Sequence, residues 1–128
     1  MGRRSRARSR GASGSAEKLS APACDYGDPA AGTLTLRGSL TPGARAEYAR
    51  VLAGETASAA ATREDAEQRA LELLFERLAV RWSVAGVAIE RPRELLARLR
   101  AASPGERAWV RERLREHCAE WFPDVRVP

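Results

Sequence analysis

Between Thr62 and Trp82 the chain carries one long apolar stripe at helical spacing, and any fold it adopts must cover that stripe. Leu71, Leu74, Phe75, Leu78 and Trp82 recur at three- and four-residue intervals, so a helix gathers them onto about a third of its circumference. Thr62, with Asp65 three residues later, forms a capping box with a shorter acid at the start. Ala66, Leu73 and Val80 fall on the opposite side as a second, narrower stripe. A helix marked on both sides is either covered twice or offered to a partner, and these three residues are the candidate partner-binding positions. Beyond Trp82 the helical period is lost at Ser83-Val84-Ala85-Gly86, and Val87 and Ile89 then point one way, as in a short strand. The expectation is a helix through Trp82, a turn, and two or three extended residues that pair with Thr33–Arg37. A hairpin over Val80–Ile89 is the alternative, with Ala-Gly as a weak turn signal.

The flanking elements announce themselves by their ends. Thr33, Thr35 and Arg37 alternate with Leu34 and Leu36, which predicts a short half-buried strand. Thr41 is placed as N-cap and Pro42 at the first helical position of a helix whose Ala44, Tyr48, Val51 and Leu52 share a face. Gly54 suits the position just past its end, and residues 54–61 are a small-residue linker. Pro92 opens a helix with Leu95, Leu96 and Leu99 inward. Ser103-Pro104-Gly105-Glu106 is a full capping box, and the helix it starts aligns Val110, Leu114, His117 and Trp121. The expected architecture is therefore mainly α: about four helices in a small bundle with a minor two-strand β element, spanning residues 33–128. Residues 1–32, rich in Arg, Ser, Gly, Pro and Ala, are expected to be a disordered basic tail, because such a composition buries too little apolar surface to offset ordering entropy.

Charge follows the same division. The net charge is +5, and residues 1–18 hold all of it through Arg3, Arg4, Arg6, Arg8, Arg10 and Lys18 against Glu17. Residues 19–128 are neutral overall. A folded nucleic-acid reader usually carries its own basic patch, so any nucleic-acid contact is expected through the tail. With no apolar core behind the arginines a secretory signal is not expected. No run reaches the ~18 apolar residues of a membrane span, and the cytoplasm is the default location. Two cysteines, Cys24 and Cys118, make no disulfide framework, and a single histidine supplies no usual zinc ligand set.

Catalytic motifs are missing from the sequence: no phosphate-cradling Gly-rich loop, no H-E-x-x-H and no nucleophile elbow occur. His117 and Cys118 are adjacent, but neighbouring helix residues point about 100° apart; His117 reads as a packed, hydrogen-bonded histidine and Cys118 as a small hydrophobe. Arg107, Arg111 and Arg115 are offset on the same helix by Glu112, Glu116 and Glu120, which describes a solvated face. Trp109 lies off the core stripe, where it either anchors a partner or packs under the 83–91 loop. Residues 92–117 also have the outline of a helix-turn-helix, which gives a second class of expectation: a small nucleic-acid-binding or regulatory protein.

The order of these elements resembles the small tail assembly chaperones of tailed bacteriophages and phage-derived tail-like particles. Leu34-Thr35-Leu36-Arg37 stands where that family opens, and Val80-x-Trp82, Gly86 and Pro92 stand where its later helix gives way to a glycine turn and a new helix. The likeness covers roughly residues 33–122. The family's loop is usually longer and acidic, whereas Ser83–Val87 has no acid. The resemblance implies a non-enzymatic helper without cofactor or metal, bound to a tape-measure or tail-tube protein during assembly.

Overall fold

The segment after the long helix is governed by alternation, not by the helical period. In a computed structural model describing residues 23–55 and 58–128, the elements run β1 (Cys24–Asp28), β2 (Gly32–Leu36), α1 (Pro42–Leu52), α2 (Arg63–Leu78), β3 (Ala79–Val84), β4 (Val87–Ile89), α3 (Pro92–Arg100) and α4 (Pro104–Trp121). The strands form one antiparallel sheet in the order β1-β2-β3-β4. The fold is α+β, and the expectation of a mainly α bundle with two minor strands is overturned by this sheet.

Three particulars account for the difference. First, α2 stops at Leu78, where Ala79 turns extended with φ −71° and ψ 125°. Trp82, four residues after Leu78, keeps its inward direction as a strand residue because Trp82 and Val84 alternate with Arg81 and Ser83. Second, Val84 pairs with Val87 across a two-residue turn in which Ala85 has φ 51° and Gly86 φ 81°. Two consecutive positive φ values make the tight turn that suits the right-handed twist of a hairpin. The hairpin alternative for Val80–Ile89 is thus the one adopted, and β4 pairs with β3, not with the first strand pair's Thr33–Arg37 stretch. Third, Cys24–Asp28 is a strand paired with β2, so ordered structure begins inside the stretch assigned to a disordered tail. The remainder of that assignment, residues 1–22, lies outside the described residues.

The sheet is one-sided. Leu34, Leu36 and Trp82 are fully buried on its inner face, with Tyr26, Val84 and Ile89 packed at the margin. The outer face is short and polar: Thr35 Oγ1 donates to Asp25 at 2.6 Å, and Arg81 pairs with Glu90 at 3.7 Å. Against the inner face lies α2, burying Ala70, Leu71, Leu74, Phe75 and Leu78. Leu95 and Leu99 of α3 and Val110, Leu114 and Cys118 of α4 complete the core.

Local signals place these helices as their sequences predict. Thr41, Thr62 and Ser103 each cap a helix N-terminus, the latter two as complete capping boxes with Asp65 and Glu106. Glu106 has a second task. It accepts from both terminal nitrogens of Arg98, at 2.7 and 3.3 Å, and this hydrogen bonding together with its cap holds its carboxyl below the usual range. The C-terminal residues fold back on α1: Tyr48 donates its hydroxyl to the Arg126 carbonyl, and Arg45 pairs with Asp124 at 3.1 Å.

Candidate interaction surface

Leu73 precedes Leu74, so it lies about 100° around α2 from Leu74 and on the far side from the centre of the buried stripe. Along with Val51 of α1 and Leu96 of α3 it is half-buried, and the three floor a groove of about 250 Å³. Charges rim the groove. Arg77 reaches Glu47 at 2.8 Å and ties α2 to α1; Arg100 reaches Glu72 at 2.9 Å and ties α3 to α2. Exposed pairs of this kind add little stability. Arg69 and Glu76 also line it, and neither makes an ion pair among the described residues.

The other candidate positions do not join Leu73. Ala66 is buried beside Gly54 and faces the α1 side of α2. Val80 is on β3, unpaired at the register shift opposite Thr35 and Leu36, and about a third exposed. The single stripe is therefore corrected at Val80, which required the helix to continue past Leu78; Ala66 and Leu73 share a face of α2 two turns apart, but Ala66 is buried and does not line the groove. Trp109 is half-buried against the core with the Arg113 guanidinium 5.9 Å from its ring centre. Val51 and Leu96 belong to the groove but read as core in the sequence. A signal for Leu96 existed: in a nine-residue helix Leu95 and Leu99 already occupy the inward i, i+4 positions, leaving Leu96 off that line.

His117 is fully buried, and both ring nitrogens are engaged. Nε2 lies 2.8 Å from the Arg37 carbonyl, which can only accept, so Nε2 carries the proton. Nδ1 then accepts the Tyr26 hydroxyl, also at 2.8 Å. Burial holds the imidazole below its ordinary value, and burial likewise pushes the Tyr26 phenol up to about 12, with Cys24, Glu116 and Glu120 adding to it. The Cys118 thiol is pushed up to about 12 by burial and by Asp124. A thiol in that state stays protonated near neutrality, and the adjacent His117 has no free nitrogen to activate it.

The basic side chains of α4 are mostly engaged within the fold. Arg107 donates to the Ala102 carbonyl at 2.6 Å, Arg115 pairs with Glu112, and Arg111 lines a cleft with Glu64 and Glu67. Residues 92–117 thus form two helices joined by Ala101–Ser103, with Arg107 turned into the connection. Arg3, Arg4, Arg6, Arg8 and Arg10 lie outside the described residues. Among the described residues no group of three His, Cys, Asp or Glu could hold a metal ion, and no helix is long and apolar enough to cross a membrane. Comparison with protein-family models, with curated proteins and with solved structures gives no match to this chain.

Proposed function

We propose that this chain is a non-enzymatic protein-binding helper, and more specifically a tail assembly chaperone that engages a tape-measure or other tail protein during assembly. The observation that carries the reading is the groove floored by Val51, Leu73 and Leu96 and rimmed by charge of both signs. An amphipathic helix of a partner would fill it with apolar side chains while its flanks meet Arg69 and Glu76. The finer assignment rests on the resemblance of Leu34–Arg37 and of Val80 to Pro92 to the tail chaperones.

Co-expression with a tape-measure protein should give a soluble complex. Leu73→Glu combined with Leu96→Glu should weaken it at least about tenfold, equivalent to ~1.4 kcal/mol, while far-UV circular dichroism stays that of the parent. An unchanged affinity would remove the groove from the interface. A chain that binds other amphipathic helices through the groove but no tail protein would retain the adaptor and lose the chaperone.

A second reading is favoured by one observation, the confinement of the +5 charge to residues 1–18. An arginine arm of this kind binds nucleic acid without sequence preference, by releasing counterions. Gel-shift affinity should then fall steeply with salt and vanish when residues 1–18 are removed. No shift at low salt with the arm intact excludes this reading.

A further inference from the structure

The edge strand β1 is held to the rest of the protein in an unusual way. It contributes no fully buried residue: Cys24, Tyr26 and Asp28 are half-buried and Asp25 and Gly27 exposed. It has its backbone ladder to β2 and the Asp25–Thr35 hydrogen bond on the outer face. Among the described residues its one side-chain hydrogen bond into the helical layer is Tyr26 to His117. By contrast β2 anchors Leu34 and Leu36 in the core. Few buried contacts and an exposed edge place β1 at the low end of local stability.

We propose that His117 is a proton-sensitive latch holding β1 against the helical layer, and that a second proton on its ring releases β1 and uncovers the edge of β2. The neutral ring fits its site on both sides, accepting from Tyr26 and donating to the Arg37 carbonyl. A proton on Nδ1 turns that acceptor into a donor, so the Tyr26 oxygen must accept instead and its own hydroxyl proton is left without its acceptor, and a cation is placed in a fully buried site. The groups around the ring do not compensate. Tyr26 comes from β1, and Trp121 and Phe122 pack their rings against the imidazole. Arg45 lies over the Phe122 ring and is already paired with Asp124. The Arg37 carbonyl and Glu120 favour the cation, but burial outweighs both.

The sign follows from where the proton binds better. Opening β1 exposes the ring and raises its affinity for a proton toward, at most, the ordinary value of 6.5, whereas burial holds it lower when β1 is closed. The closed state is therefore fully favoured above about 6.5, and its advantage is lost as pH falls below that value toward the lowered one, by up to about tenfold per pH unit. Native-state hydrogen exchange of the full chain from about pH 8 to about pH 5, corrected for intrinsic exchange rates, reads this directly. Amides of β1 bonded to β2 should lose protection by up to that factor, while α2 amides keep theirs. His117→Gln preserves one acceptor and one donor without titrating, so its β1 protection should not depend on pH. Tyr26→Phe should lower β1 protection roughly 2- to 13-fold already at about pH 8, the loss of one hydrogen bond. The latch is overturned if β1 protection in the parent is flat with pH, if His117→Gln shows the parent's slope, if α2 opens together with β1, or if Tyr26→Phe protects β1 as well as the parent.

Discussion

Gly32→Ala is expected to destabilise the domain by roughly 2–6 kcal/mol, the sum of backbone strain and overpacking. Gly32 sits at the start of β2 with φ +89°, a conformation that side-chain-bearing residues rarely adopt. Space is the larger obstacle. A Cβ there would lie 2.0 Å from the Ser83 carbonyl oxygen and 3.1 Å from the Val84 Cα, both backbone atoms of β3. No rotamer change can relieve a clash with backbone, so β3 would have to move away and drag Trp82 with it. A domain this small has about 5–15 kcal/mol of stability in total, so the variant should show a much lower urea midpoint with the slope unchanged. Gly27→Ala is the control, since its Cβ would meet only Thr33 Oγ1 at 3.9 Å; it should stay within about 0.5 kcal/mol of the parent. If the two variants unfold together, the close approach of β2 to β3 is wrong.

What the sequence makes legible here is what local chemistry decides. Thr62 with Asp65 and Ser103 with Glu106 satisfy their own helix ends, and Pro42, Pro92 and Pro104 sit where their fixed φ is already helical, so these boundaries need no tertiary partner. β1 is the opposite case. Cys24-Asp-Tyr-Gly-Asp28 has little strand propensity, and it is extended because β2 offers a ladder and His117 receives Tyr26. The groove is legible in part. Leu73 betrays itself by leaving the core stripe. Leu96 does so more weakly, by lying off the Leu95–Leu99 line, and Val51 does not, because a sequence shows which face of a helix is apolar and not how much of that face its neighbours cover. The sequence leaves Val80 ambiguous for a related reason: Leu78 and Trp82 satisfy a helical step of four and a strand alternation equally well, and Ala85-Gly86, where both residues take positive φ, decides between them only once the sheet exists.

Trp82→Ala should cost about 3–5 kcal/mol, measured by chemical denaturation of the purified protein. The helix reading of the sequence turns this residue inward; it is inward as a strand residue, and the structure shows why its removal is expensive. The side chain is fully buried, with Phe75 of α2 packed edge-on at a centroid distance of 6.1 Å. Its indole N–H donates to the Ala31 carbonyl at 2.8 Å, fixing the β1–β2 turn to β3. Above the ring, 4.8 Å from its centre, lies the Arg98 guanidinium, itself gripped by Glu106 at the start of α4. One side chain thus joins both hairpins, α2, α3 and the cap of α4. Trp82→Phe separates the contributions: it keeps an aromatic ring against Phe75 but leaves the Ala31 carbonyl without its donor, so it should recover part of the loss. Arg98→Met removes the cation while preserving much of the apolar stem, and should cost less than Trp82→Ala, on the order of 1–2 kcal/mol. A Trp82→Ala protein as stable as the parent would mean that the indole faces solvent. The pairing of Leu34 with Trp82 that sets the register of the central strands would then be wrong as well.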